Sequence, residues 1–183
     1  MNPKTNQAVA IQRAGLEDVA LLSRLGARSF EATYASQNTP QDMSLYLETY
    51  FSIASLEKQL AEPGTSFLIA RLAEEPVGYT KLRTHKLPDC VTGPDPIELE
   101  RIYAELAYKG KGIGSALMEA TLAEAARQGR QTLWLGVWER NLSAIAFYKK
   151  WAFQVVGNQD FILGEDVQND YILSRDLEIH IAQ

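Results

Sequence analysis

Between Lys109 and Ser115 the chain reads KGKGIGS, so that Gly110, Gly112 and Gly114 alternate with Lys111 and Ile113. A helical pattern follows at once. Glycine ahead of a helix is costly unless the backbone must turn sharply or come close to something. Small residues opening a helix offer unpaired backbone N–H groups at the positive end of the helix dipole, which is a seat for an anion. Gly112 and Gly114 would let a pyrophosphate approach without a Cβ clash, Lys109 and Lys111 supply counter-charge, and Ser115 adds a hydroxyl donor. A glycine-rich turn with solvated lysines and no ligand would read the same way. Spacing removes two phosphate loops. A triphosphate loop needs Ser or Thr after its lysine, and Lys111 is followed by Gly112. A dinucleotide fingerprint needs Gly-x-Gly-x-x-Gly near the start of a strand–helix–strand unit, which glycines at alternate positions do not supply.

The elements that must position this loop follow from periodicity. Ala8 to Ala14 predicts a strand, and Leu16, Val19, Ala20, Leu22, Leu25 and Phe30 recur at helical spacing up to about Ala35. Pro40 marks the start of a second helical segment, Gln41 to Ala61 in two pieces, which Pro63 and Gly64 end. Phe67 to Leu72 and Val77 to Arg83 predict a hairpin that turns at Glu74-Glu75-Pro76. A proline-rich loop follows, then a strand from Ile97 to Ala104, the glycine loop, and a helix from Ile113 to Gln128 with Gly129 as terminator. TLWLGVW is a continuous apolar run, the mark of a strand buried on both faces. SAIAFYKK predicts a helix, and Phe153 to Leu163 and Val167 to Ser174 close the chain as strands. The order β-α-α-β-β-β-α-β-α-β-β describes an α/β (α+β) fold, a mixed sheet of about seven strands with helices on its faces. One domain over residues 1–183 is expected.

Composition narrows the function classes. Hydrophobic residues at 46% and charged residues at 22% describe an ordinary globular balance. No apolar run approaches the roughly 20 residues needed to span a membrane. The N-terminal stretch lacks the apolar core of a signal peptide, so a cytoplasmic location is expected. Cys90 is the only cysteine, which excludes an internal disulfide and a cysteine-rich zinc site, and no metal is expected. A net charge of −5 argues against nucleic acid as a partner and suits a cationic small substrate, though it also simply keeps a protein soluble. His85 and His180 stand alone and read as surface residues.

ERIYAELAYKGKGIGSALM resembles the acetyl-CoA loop of the GNAT N-acetyltransferases, whose pattern is Gln or Arg, x, x, Gly, x, then Gly or Ala. NLSAIAFYKKWAF is similar to the family's Asn-x-x-Ala-x-x-Phe-Tyr segment, carried by Asn141, Ala144, Phe147 and Tyr148. SFEATYASQNTPQDMSLYLETYF and LWLGVWERNLSAIAFYKKWAF resemble the PaiA-type branch, whose members acetylate polyamines. The resemblance implies the GNAT fold with a mostly antiparallel sheet, and acetyl-CoA as cofactor. It also implies a primary amine such as spermidine or spermine as acceptor, and homodimers, which are common in the family. Two positions depart from the pattern. Lys109 replaces Gln or Arg, which keeps a charge and loses a planar fork of donors. Ala152 replaces the glycine that ends the family's second helix.

Amide formation from a thioester needs a deprotonated amine, and an alkylamine with a pKa near 10.4 arrives protonated. Glu98 and Glu100 are the candidate bases; alternation puts both on one face of the strand, with Glu98 nearer the family's base position. A charged patch beside Arg101 is the plain alternative. The resemblance assigns the backbone of Ile102, Tyr103 and Ala104 to the pantetheine arm and the thioester carbonyl. It makes Tyr148 the general acid and Asn141 a cofactor contact. Without it, Tyr148 reads as a core aromatic and Asn141 as a helix cap. Trp134 and Trp138 share a strand face, and Trp138 could line the acceptor site. Two rival activities fit the same residues: acetylation of a protein or peptide amine, and a regulatory protein that binds acetyl-CoA or a polyamine.

Overall fold

The computed structural model describes residues 8–163 and 166–177, so His180 lies outside the described residues. Strand β1 (Val9–Arg13) is followed by helices α1 (Val19–Tyr34), α2 (Pro40–Phe51) and α3 (Ile53–Ala61). The hairpin of β2 (Ser66–Leu72) and β3 (Glu75–Arg83) leads to β4 (Pro96–Ala104) and α4 (Ile113–Arg127). Then come β5 (Thr132–Trp138), α5 (Leu142–Lys150), β6 (Gln154–Leu163) and β7 (Asp166–Asp176). The division of the second helical segment has a local cause. Thr39 Oγ1 accepts the Asp42 amide at 3.1 Å to cap α2, and Ser52 takes an extended backbone and caps α3 through the Ser55 amide at 3.3 Å.

The hairpin turns one residue earlier than expected. Ala73 and Glu74 carry φ of 48° and 68°, while Glu75 and Pro76 already belong to β3. Two consecutive left-handed residues match the twist of a tight hairpin, and neither is the Gly or Asn that would announce such a turn. Pro76 is tolerated where β2 and β3 shift register, between Ala70 and Arg71.

The seven strands form one sheet in the order β1-β2-β3-β4-β5-β7-β6. Every neighbouring pair is antiparallel except β4 and β5. That parallel pairing covers only Pro96 with Thr132, Ile97 with Leu133 and Glu98 with Trp134. Both strands continue, to Ala104 and to Trp138, without each other. A cleft therefore opens in the middle of the sheet. On one face Leu82, Ile97, Leu99, Leu133, Leu135 and Leu173 pack with Met118 of α4 and Ile145 of α5. On the other, Phe67, Ile69 and Tyr79 meet Leu22, Leu25, Phe51 and Leu56 of α1 to α3. The two helical layers thus cover the two faces of the sheet, and the α4–α5 layer packs on strands from both sides of the cleft.

Helix α4 ends on Gly129 at φ +70°, with the Arg130 amide donating to the Ala125 carbonyl at 3.0 Å. Helix α5 ends with the same bonding on Ala152 at φ 62°: the Phe153 amide donates to the Tyr148 carbonyl at 3.2 Å and the Ala152 amide to Lys149 at 3.1 Å. The departure at position 152 therefore carries strain, since a Cβ in the left-handed region costs about 1 kcal/mol or more. Ala152→Gly is expected to raise the unfolding free energy by about 1 kcal/mol, seen as a higher urea midpoint at unchanged m. An unchanged midpoint would show that the strain is relieved elsewhere.

Candidate active site

The glycine loop is built as an opening. Gly110 and Gly112 both take φ of +80°, and nothing lies within 4 Å of where a Cβ would stand on either. Gly112 occupies the N-cap of α4 and has no side chain to cap it, so the first-turn amides of α4 face outward past a bare backbone. Two other loop amides are used internally, Lys109 to the Leu106 carbonyl at 3.0 Å and Lys111 to the Tyr108 carbonyl at 3.1 Å. Lys109, Lys111 and Ser115 are exposed around it, and the Lys111 ammonium rests 4.8 Å from the centre of the Tyr108 ring. Ile113 is buried and anchors the loop to the core. Gly114 differs from the other two glycines in its surroundings. It lies inside α4, and its missing Cβ would meet the Phe147 ring at 3.6 Å, an ordinary contact between α4 and α5.

Beyond Glu98, the edge of β4 that faces β5 has no strand beside it. The Glu105 amide donates to the Val77 carbonyl at 2.9 Å, so alternation turns the backbone groups of Tyr103 toward β3. The backbone groups of Ile102 and Ala104 then point into the cleft. Of the three residues expected to bind through their backbone, these two are placed to do so. Tyr103 contributes its ring instead, with its centre 5.8 Å from that of Tyr79. From the other side α5 brings up Tyr148, 8% exposed, with the rings of Phe147 and Phe153 edge-on at 5.6 Å and 5.7 Å. Burial first, and then the neighbouring Tyr34, push the Tyr148 phenol above the usual tyrosine range. It stays protonated at neutral pH, as a proton donor must. Asn141 caps α5, its Oδ1 accepting the Ala144 amide at 3.2 Å.

Glu98 and Glu100 are brought together, for a reason other than alternation. Glu98 pairs with Arg83, Leu99 with Leu82, and Arg101 with Lys81, which leaves Glu100 as the extra residue of a β-bulge. The bulge puts Arg101 on the face of Glu98, where strict alternation would have turned it away. Arg83 Nε stands 2.6 Å from Glu98 and 2.9 Å from Glu100. Lys81 Nζ is 2.6 Å and Arg101 Nη2 3.0 Å from Glu100, and Gln59 Oε1 accepts from both cations. Arg101 also lies 4.5 Å over the Phe51 ring. Burial acts to raise the Glu100 pKa, but Arg101, Lys81 and Arg83 outweigh it and hold the carboxyl below its usual range. Lys81, 2% exposed, is itself pushed down to about 8, chiefly by burial. A cavity of about 580 Å³ beside α2 and α3 is lined by this cluster. Glu100 is thus committed to three cations and has little affinity for a further proton.

Three residues near the cleft were given no role in the sequence: Tyr34 and Gly136, which lie within the segments that resemble the PaiA-type branch, and Asp170. The available signals were faint, a glycine inside an otherwise apolar strand and an acidic residue inside another. Cys90 and His85 behave as expected, the first packed against Gly157 and the second exposed.

A sheet split between two strands, a bare helix N-terminus beside the split and a buried tyrosine across it match a known arrangement. The acetyltransferase (GNAT) family model fits residues 28–153. The chain belongs to the GNAT acetyltransferase family. An N-acetyltransferase from the pepI 3′ region of Lactobacillus delbrueckii subsp. lactis is 30% identical over 169 residues, spanning 92% of this chain and 98% of the relative. The PaiA N-acetyltransferase of Thermoplasma acidophilum, solved in complex with coenzyme A, superposes with a TM-score of 0.75. At 21% identity it covers 92% of this chain and 99% of its own. The spermine/spermidine N(1)-acetyltransferase of Bacillus subtilis is 31% identical over 64 residues, 34% of this chain and 42% of that one. As a GNAT member, the protein is an N-acetyltransferase with acetyl-CoA as its donor. Among the described residues no helix is long and apolar enough to cross a membrane.

Proposed function

We propose that the chain works as one catalytic domain that moves an acetyl group directly from acetyl-CoA to a primary amine of a small molecule, with a polyamine such as spermidine or spermine as acceptor. The observation that carries the reading is the cleft between β4 and β5, with the open α4 N-terminus at one end and Tyr148 on its wall. Acetyl-CoA supplies a carbon activated by a thiol leaving group. The chain's residues do the rest. The first-turn amides of α4, with Gly110, Gly112 and the Lys109 and Lys111 ammonium groups, suit a pyrophosphate: the left-handed glycines leave the approach clear and no side chain competes for the amides. Backbone groups of Ile102 and Ala104 extend β4 toward an extended arm lying in the gap, and a donor there can face the thioester oxygen. Tyr148 supplies a proton to the departing sulfur.

The polyamine assignment is supported by the spermine/spermidine activity of the Bacillus relative and by a second groove of about 510 Å³ between α1 and α2, which Glu31 and Glu48 line. An acceptor screen with purified protein tests it. Spermidine and spermine are compared with amino sugars and N-terminal peptides by release of free thiol. Spermidine is expected to turn over with kcat/KM at least about tenfold above any peptide. Peptides as the better acceptors would replace the polyamine reading, and binding of acetyl-CoA without turnover on any amine would remove the enzymatic one.

A further inference from the structure

Halfway along β5 the apolar run is broken by Gly136, on the same face as Trp134 and Trp138. The glycine does not serve a left-handed backbone. What it does is leave space. A Cβ there would stand 3.4 Å from Asp170 Oδ2, 3.5 Å from Gln159 Nε2 and 3.9 Å from Ile172 Cδ1, all ordinary contact distances. Pairing brings these groups together from three strands: Trp138 of β5 lies opposite Asp170 of β7, and Asp170 opposite Gln159 of β6. Tyr34 of α1 closes the side, its ring centre 6.4 Å from that of Trp138. Burial first, and then the Asp170 charge, raise the Tyr34 phenol above its usual range.

Asp170 differs from the two glutamates in what surrounds it. Its Oδ1 is buried and makes no hydrogen bond. Burial alone lifts its pKa to about 6, with no cation to offset it. The charged and titratable groups nearby are Tyr34 and, through it, Tyr103 and Tyr148. Arg140 stands 5.9 Å from the Trp138 ring, and Glu139 is bonded to Asn169. A half-buried carboxylate with an unanswered oxygen is expensive to keep, and an ammonium group is its complement, the more so beside aromatic faces. The niche lies on the α1 side of the sheet, where the Tyr34 ring stands beside Trp138 of β5.

Resting on the acetyltransferase reading above, we propose that Gly136, Asp170 and Gln159, walled by Tyr34 and Trp138, seat the acceptor's ammonium group, and that Asp170 takes the proton which must leave before the nitrogen attacks. An N–H bond breaks and an O–H bond forms on Asp170; the freed lone pair forms the C–N bond. The C–S bond then breaks, and the sulfur takes its proton from Tyr148. The second amine proton, lost after C–N bond formation, restores Tyr148, and Asp170 releases its own to water. Glu98 and Glu100 keep the bulged strand in place.

Two variants test this with spermidine, or with whichever amine the acceptor screen returns. Gly136→Ala fits the niche at contact distance, so the fold is kept while the seat is filled. The amine KM is expected to rise about tenfold with kcat changed less than about threefold. Asp170→Asn should lower kcat/KM by about a hundredfold and remove the acid limb near pH 6 from its pH profile, while acetyl-CoA affinity by calorimetry stays at the wild-type value. Because the native pKa is raised, stability falls as pH rises from about 3.8, the ordinary value, to about 6, and the penalty on the ionised form is complete above that. Asp170→Asn should therefore melt higher than wild type at pH 8 and lose most of that advantage by about pH 4, which also shows that it folds. Wild-type kinetics and an unaltered pH profile in both variants would overturn the proposal. If wild type turns over no amine, the acetyltransferase reading falls by itself, and spermidine calorimetry still decides the niche. Tighter binding to wild type than to Asp170→Asn supports it, and equal or undetectable binding to both overturns it.

Discussion

Tyr148→Phe is expected to lower kcat about a hundredfold while leaving acetyl-CoA affinity within about twofold of wild type. The substitution removes one oxygen and keeps the ring, so the edge-on contacts with Phe147 and Phe153 survive and the core that Tyr148 shares with Ile145 and Val137 is unchanged. The oxygen is the part that chemistry needs. Its pKa, raised by burial and by Tyr34, keeps it a donor across the neutral range. A thiolate with a pKa of about 8.5 leaves more easily than an alkoxide, so the loss should sit at the lower end of what a general acid contributes. Steady-state kinetics with calorimetry for acetyl-CoA decide the matter. Wild-type turnover in the variant would make Tyr148 a packing residue and nothing more.

Gly112→Val should abolish detectable acetyl-CoA binding, a loss of about a hundredfold or more in affinity. At φ of +80° a β-branched residue is strained by about 1–2 kcal/mol, and the relaxed loop would no longer present the α4 amides. The position is exposed with nothing within 4 Å, so the core is untouched and cooperative thermal unfolding should remain. Gly114→Ala supplies the contrast. Its Cβ meets the Phe147 ring at an ordinary distance, and affinity close to wild type is expected. If Gly112→Val binds acetyl-CoA normally, the loop does not hold the pyrophosphate.

Much of this protein is written locally. The order of elements followed from apolar periodicity because each helix and strand buries one face, and the TLWLGVW strand was bounded to the residue because it is apolar throughout. The open helix N-terminus was legible for the same reason: the start of α4 and the glycines that bare it are neighbours in the chain. The hairpin turn was misplaced because Ala73 and Glu74 adopt a left-handed backbone that their side chains do not advertise.

The proton chemistry was decided elsewhere. For Glu98 and Glu100 the sequence left a base and a charged patch beside Arg101 both open, and their environment comes from Arg83 and Lys81 on β3 and from a bulge that turns Arg101 to the same side. Asp170 looked like nothing, until the sheet order put β7 beside β5 and set it opposite Trp138. Sequence alone determined the layers and the glycine loop that bares the α4 N-terminus, because backbone hydrogen bonding and burial periodicity act over a few residues. Only the tertiary structure decided which carboxylate is neutralised by cations and which is left waiting for one, because a pKa is set by charges and burial that arrive from distant parts of the chain.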